Sequence, residues 1–285
     1  MLTFVLALAA CSHGDKSDTS SSGPDLTATA LADGLGKTHD AAPSSDASMV
    51  YATVDASTGT ALISIDSGGA TATLDAFTAA VGVVVGPGDG TVYVADTDGI
   101  HSVTASDGTN TLIDGTGSYL PVALEIDGTN LVFTGTDPVT STFGVFRIPQ
   151  VGGDVSTLLS GVSEELSGVV VAADGSLYAT GGGNVYAVAD SADTPLVQGV
   201  ALGTPAGIAV SPDESTLLVS AIGTDGKSEL LLIDRDSGDK SDFNDTIGAN
   251  VGSGGLHRAS ASTSTFAWAG ITTGGTGTVY RVTFN

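Results

Sequence analysis

Beyond its first two dozen residues the chain alternates apolar and polar positions with a period of two. The alternating runs are short and rich in Val, Ile, Thr and Tyr, as in TVYVAD (91–96) and NVYAV (184–188). Asp-Gly, Gly-Thr and Ser-Gly pairs separate them. Successive side chains of a strand point to opposite faces, so this period predicts β-strands, and the glycine pairs predict tight reversals. Apolar positions at helical spacing are scarce. The expected fold class is all-β.

The runs also repeat. SMVYAT, TVYVAD, NLVFTG, SLYATG, TLLVSA and TFAWAG stack as one strand, with Val50, Tyr93, Val132, Tyr178, Leu218 and Ala267 in the same column. ALISI, GIHSV, GVFRI, NVYAV, ELLLI and TVYRV stack as the next, with Ile63, His101, Phe146, Tyr186, Leu231 and Tyr280 in theirs. Each column spans 217 residues from first to last member, an average period of about 43. That spacing suits the four-stranded blades of a β-propeller. A strand typified by GVVVGPGDG and GIAVSPDES precedes the first column, and one typified by VSTLL and TPLV follows the second. The predicted blade is therefore A-B-C-D, joined by hairpins.

The last repeat ends after strand C, while Leu26–Leu31 precedes the first A strand without a blade of its own. We therefore expect residues 26–31 to supply strand D of blade six, closing the ring and leaving only short outer edges. Residues 25–285 then form a six-bladed propeller with four antiparallel strands per blade. A pair of β-sandwiches would not keep two columns in register over six repeats. A parallel β-helix would need a repeat of about 20–30 residues per coil, which this period of about 43 does not match.

Charge and the N-terminus narrow the setting. Of 285 residues, 32 are Asp or Glu and 8 are Lys or Arg, a formal charge of −24. Such a balance opposes nucleic acid and anionic lipid headgroups as partners. No apolar run approaches the roughly 20 residues of a membrane-spanning helix. Residues 1–10 have the apolar run and small-residue end of a secretory signal. Leu8-Ala9-Ala10-Cys11 resembles the bacterial lipobox, although no Lys or Arg precedes it. The resemblance implies lipidation of Cys11, with Ser12 pointing to the outer membrane, on its periplasmic or surface face. Residues 11–24 are then the lipidated cysteine and a flexible, Ser/Asp/Gly-rich tether. The lipid anchor is the only membrane partner expected, and the propeller is expected to be monomeric.

At TVYVAD and PAGIAVSPDESTLLVS the chain resembles the six-bladed propellers of the NHL and gluconolactonase-like (strictosidine-synthase-like) superfamily, and also the YVTN-repeat proteins. The resemblance extends over about 260 residues as architecture, with the motif well kept in blades two, four and five. It implies a fold, and fold alone does not set function. The lactonase members hold a divalent metal at the inner ends of A strands, where this chain has Val81, Val122, Ser167, Ala206 and Gly254. Asp40 is the one carboxylate in reach, too few oxygens for a hard cation.

Other chemistry is sparse. His101 sits in an apolar column and reads as a packed strand residue. His257 and Arg258 lie on the last A strand, facing either the channel or a blade interface. His39 and Asp40 read as solvated loop neighbours or, less conventionally, as an acid–base pair. The run Asp234–Asp242 reads as a solvated hairpin rather than a Ca²⁺ loop. The D–A and B–C loops share one face, which would carry His39, Asp40, Asp96, Asp98, Tyr119, Asp137, Glu164, Glu165 and Asp225. This acidic face is the candidate binding surface, for a basic protein or a cationic ligand. The expectation is a non-catalytic envelope lipoprotein with a propeller that binds a partner and needs no cofactor. The alternative is a periplasmic gluconolactonase/NHL-type hydrolase or lyase using a metal such as Ca²⁺ in the channel mouth.

Overall fold

The computed structural model describes residues 26–188, 195–200, 207–222, 228–243, 250–259, 264–272 and 274–284. Strand β1 (Leu26–Leu35) is followed by blade one, made of β2 (Thr38–Pro43), β3 (Met49–Asp55), β4 (Thr60–Asp66) and β5 (Thr71–Phe77). Blade two is β6 (Gly82–Val85), β7 (Thr91–Asp96), β8 (Gly99–Thr104) and β9 (Asn110–Leu112). After a 3₁₀ turn, Gly117–Tyr119, blade three is β10 (Leu124–Asp127), β11 (Asn130–Thr136), β12 (Phe143–Pro149) and β13 (Ser156–Val162). Blade four is β14 (Leu166–Val171), β15 (Leu177–Gly181), β16 (Asn184–Val188) and β17 (Pro195–Gln198). Blade five is β18 (Ile208–Val210), β19 (Thr216–Ile222), β20 (Ser228–Asp234) and β21 (Lys240–Phe243). Blade six is β22 (Asn250–Arg258), β23 (Thr265–Thr272) and β24 (Gly277–Phe284), with β1 as its outer strand in the order β1-β24-β23-β22. The result is a six-bladed β-propeller.

Ring closure is the antiparallel pairing of β1 with β24, from Leu26 opposite Phe284 to Leu35 opposite Gly277. The strand expected at 26–31 is real and runs four residues further, with register shifts after Ala30 and Ala32. Each blade buries both faces, and one apolar cluster lies at each blade–blade boundary. In blade one, Val50, Ala52, Val54, Ile63 and Ile65 pack toward Ala267, Ala269 and Val279 of blade six. Tyr51 and Leu62 pack the other way, toward Val83, Val94 and Val103 of blade two. Blade two repeats this partition, with Tyr93 and Ala95 directed at blade three.

That partition corrects one column. Tyr51, not Val50, is the equivalent of Tyr93, Val132, Tyr178, Leu218 and Ala267. It pairs with Ala42 of β2 as Tyr93 pairs with Val84 of β6. Val50, Tyr51 and Ala52 are all buried, at 2%, 5% and 0% exposure. In a strand covered on both faces alternation no longer marks which residue faces which neighbour.

On the face carrying the A–B turns, side chains tie neighbouring blades together. Asp89 accepts Ser45 N–H at 2.7 Å, Arg235 meets Asp174 at 2.8 Å, and Arg258 meets Glu214 at 2.8 Å. The Asp234–Asp242 segment forms the C–D hairpin of blade five as expected, with Asp234 accepting Ser237 N–H at 2.8 Å.

Candidate functional site

The six A strands line the axis, and their register stacks equivalent residues into rows. One row holds Asp40, Gly82, Ala123, Gly168, Gly207 and Gly255. The small members let neighbouring A strands approach closely. A Cβ on Gly82 would strike the Val122 carbonyl, one on Gly207 the backbone at Gly255 and Leu256, and one on Gly255 the Asp40 carboxylate. Asp40 is thus the one long side chain in a row of glycines and alanine, and its carboxylate occupies the axis. The space left there is about 10 Å³, room for about one water. The propeller has a constriction rather than an open bore.

Two rows further along, Glu125 and His257 reach inward from blades three and six. His257 Nε2 lies 3.1 Å from Asp40 Oδ2, which also accepts Val83 N–H at 2.9 Å. Asp40 Oδ1 accepts Ala41 N–H at 2.8 Å. The other imidazole nitrogen, Nδ1, is 3.7 Å from Glu125 Oε2 and makes no hydrogen bond. Burial by itself would depress the pKa of His257. The charge and hydrogen bond of Asp40, followed by the nearby carboxylate of Glu125, outweigh it and push the value up to about 10. At neutral pH the axis therefore holds an imidazolium clasped between carboxylates of blades one and three, an arrangement that a buried charge requires.

Above this plug, on the face of the D–A and B–C loops, a funnel of about 810 Å³ opens. Lys37, His39, Leu120, Glu164 and Glu165 contribute to its lining, with the Gly181–Gly183 backbone beside them. His39, only 9% exposed, is held through Nε2 by Asp55 Oδ1 at 2.8 Å. Leu120 is half-exposed at the rim with φ 47°, a left-handed conformation strained for a leucine. Below the plug, on the A–B-turn face, lies a smaller cavity of about 160 Å³ floored by Glu125 and His257.

The structure redistributes the residues expected on the acidic face. His39 and Asp40 are buried on β2 rather than solvated in a loop, and they are not partners of each other: His39 pairs with Asp55 and Asp40 with His257. Because strand neighbours point oppositely, one turns to the funnel and the other to the axis. Glu164 and Glu165 do line the funnel. Asp96 is buried and its carboxylate accepts the N–H groups of Thr78, Ala79 and Thr97. It braces a loop instead of presenting charge. Tyr119 is half-buried and packs edge-on against Phe133 and Phe146 at the margin of the core. Asp137 caps its own hairpin through Val139 N–H at 2.7 Å, which holds its carboxyl below the ordinary range. Asp98 is exposed and bonds His101 at 2.7 Å. His101 keeps its packed role, edge-on to Phe77. Cys11, Ala206 and Asp225 lie outside the described residues. Sequence reasoning missed Asp55, Leu120 and above all Glu125, which belies Asp40 as the one carboxylate near the axis.

Two metal arrangements can be tested against these residues. At the inner ends of the A strands, His39, Val81, Val122, Ser167 and Gly254 offer one nitrogen and one hydroxyl, which does not fit a hard divalent cation. Among the described residues one cluster, Asp96, Asp98 and His101, brings three ligand atoms within 4.8 Å of one another. Its donors are already engaged: Asp96 by backbone N–H groups, and His101 by Asp98 and by Asn110 at 2.8 Å. A cation there would have to displace those bonds.

No protein-family profile matches the chain, and no curated protein matches it in sequence. Solved structures do match in fold. A gluconolactonase from Xanthomonas campestris shares 16% identity over 92% of this chain and 90% of its own, with a TM-score of 0.70. The PQQ-bound aldose sugar dehydrogenase of Streptomyces coelicolor shares 13% identity over 92% and 100%, with a TM-score of 0.66. The calcium-binding protein regucalcin of Agrobacterium tumefaciens shares 10% identity over 88% and 90%, with a TM-score of 0.64. Identities this low establish a shared propeller architecture.

Proposed function

We propose that the funnel on the D–A and B–C face is the active site of a hydrolase acting on a small cyclic ester of the sugar-lactone kind. The observation that carries the reading is a funnel of about 810 Å³ with a His39–Asp55 pair at its wall. Concave sites with a few convergent polar groups amid apolar walls are where small ligands bind. Leu120, Pro121 and Val122 supply an apolar wall, and Lys37, Glu164 and Glu165 supply hydrogen-bonding groups. The gluconolactonases and the aldose sugar dehydrogenase among its structural neighbours support this class of substrate.

In this reading Asp55 fixes the ring of His39, so proton traffic passes through Nδ1. His39 takes a proton from water as the water oxygen bonds to the lactone carbonyl carbon. The ring C–O bond then breaks and the departing oxygen receives the proton, leaving an open-chain hydroxy acid. General acid–base catalysis by one side chain contributes typically ~10²–10⁴-fold. Aldonolactones offered to the purified protein should be opened with release of acid. His39→Ala should cut kcat by about 10²-fold or more, and Asp55→Asn by less. Turnover that is indifferent to His39→Ala would overturn the proposal.

A non-catalytic binding role is the second reading. What favours it is the mismatch of His39, Val81, Val122, Ser167 and Gly254 with a catalytic metal site, together with the sealed axis. Saturable binding of a lactone without turnover would favour it over the hydrolase. We also place the protein in the cell envelope, anchored through lipidated Cys11. Cys11→Ala should move it from the membrane fraction to the soluble one, and continued membrane association would refute the anchor.

A further inference from the structure

We infer that the cavity on the A–B-turn face, opposite the funnel, is a second binding site, one that takes a hydroxyl group of a small neutral polyol or single sugar ring. Its floor presents an unusual pair. His257 is 7% exposed, yet its Nδ1 has no hydrogen-bond partner, and it lies 3.7 Å from Glu125 Oε2. Glu125 Oε1 is already taken by Ile126 N–H at 2.8 Å, so Oε2 is the oxygen facing the gap. A buried donor left unpaired is unfavourable. One hydroxyl oxygen set between the two atoms accepts from Nδ1–H and donates to Oε2, satisfying both at once.

The surroundings select the ligand further. The other charged groups at the cavity are paired within the protein. Asp89 accepts both Ser45 N–H and Ser45 Oγ–H, and Arg258 is engaged by Ser211 O at 2.9 Å and Glu214 at 2.8 Å. No guanidinium is left over for an anion, and the carboxylates of Asp40, Glu125 and Asp89 repel one. An ammonium group would meet the proton on Nδ1, because the charged imidazolium can only donate. A neutral hydroxyl meets neither objection. Pro43, Val85, Pro87 and Ile126 form apolar walls suited to the C–H face of a polyol, and the volume of about 160 Å³ admits a molecule of that size. This site is separate from the funnel, since the Asp40–His257 plug lies between them.

The test is a titration of ¹⁵N-labelled protein with glycerol and with glucose, following the His257 Nδ1–H resonance. A saturable shift with either, reduced at least tenfold in apparent affinity by Glu125→Gln and by Ile126→Phe, is expected. Ile126→Phe fills the cavity without touching the polar pair, so it serves even if Glu125→Gln fails to fold. His39→Ala in the funnel should leave the titration unchanged. An unsaturable drift, a shift equal in Ile126→Phe, or a shift abolished by His39→Ala would overturn the assignment. So would an Nδ1 partnered by an ordered water alone, seen as no response to either polyol.

Discussion

Removing the carboxylate at the centre of the ring, Asp40→Ala, should be among the most damaging single changes available to this protein. The side chain joins three blades: it sits on β2, accepts Val83 N–H of blade two and faces His257 Nε2 of blade six at 3.1 Å. Breaking a buried pair by deleting one partner costs about 3–5 kcal/mol, because the remaining charge is left uncompensated. An orphaned Val83 N–H adds about 1–3 kcal/mol unless water enters. The imidazole can shed its proton and Glu125 still attracts it, which limits the total, so we expect about 3–5 kcal/mol at pH 7. Urea denaturation monitored by the single tryptophan, Trp268, would measure it, since that residue is fully buried in blade six.

The pH profile sharpens the test. The folded-state pKa of His257 is raised from 6.5 to about 10, so its contribution is fully present below about 6.5. It declines as pH rises from about 6.5 to about 10, where the unfolded chain binds fewer protons than the native one, and is gone above about 10. Asp40→Ala should flatten that slope, and combining it with His257→Phe should cost less than the two single changes summed. A loss below about 1 kcal/mol, or an identical alkaline slope in wild type and variant, would refute the buried imidazolium.

Gly255→Ala places a methyl against the Asp40 carboxylate and should lower the melting temperature sharply, whereas Gly90→Ala, with open space around it, should not; differential scanning calorimetry compares them. Deleting residues 1–35 removes β1, exposes the edge of β24 and strips the Leu26 side chain (2% exposed) from the core. That variant should unfold at markedly lower urea than one lacking residues 1–24, as read by Trp268 emission. Asp46 is held at about 2 by hydrogen bonds from Ser48 and Ser44. Its contribution is present above the ordinary carboxylate range and lost as pH falls through about 2; ¹³C carboxyl titration should show the shift reduced in Ser48→Ala/Ser44→Ala, which removes the two hydroxyls, and partly kept by the Ser48 backbone N–H.

Much of the architecture is legible in the chain because a propeller repeats one local pattern. Strand, turn and period were each set by short-range alternation, and the orphan strand at 26–31 was betrayed by a missing fourth strand at the other end. The register of blade one was not legible, because Met49–Val54 is apolar at nearly every position and offers no polar face to count from. The site was harder. Asp96 and Asp137 look like surface charge in a sequence, yet each spends its oxygens on nearby backbone N–H groups. Tyr119 reads as a loop aromatic, and only the approach of Phe133 and Phe146 half-buries it against the core.

Periodicity and composition thus determined the strands, the number of blades, the closing strand and the acidic character, because local alternation, a repeated unit and a charge count can all be read along the chain. Folding decided the chemistry at the axis. His257 and Asp40 lie 217 residues apart and meet only because β1 pairs with β24 and brings blade six against blade one. Their meeting depends on a row of glycines narrow enough to force a carboxylate and an imidazole together, and no single-strand pattern encodes the width of a ring.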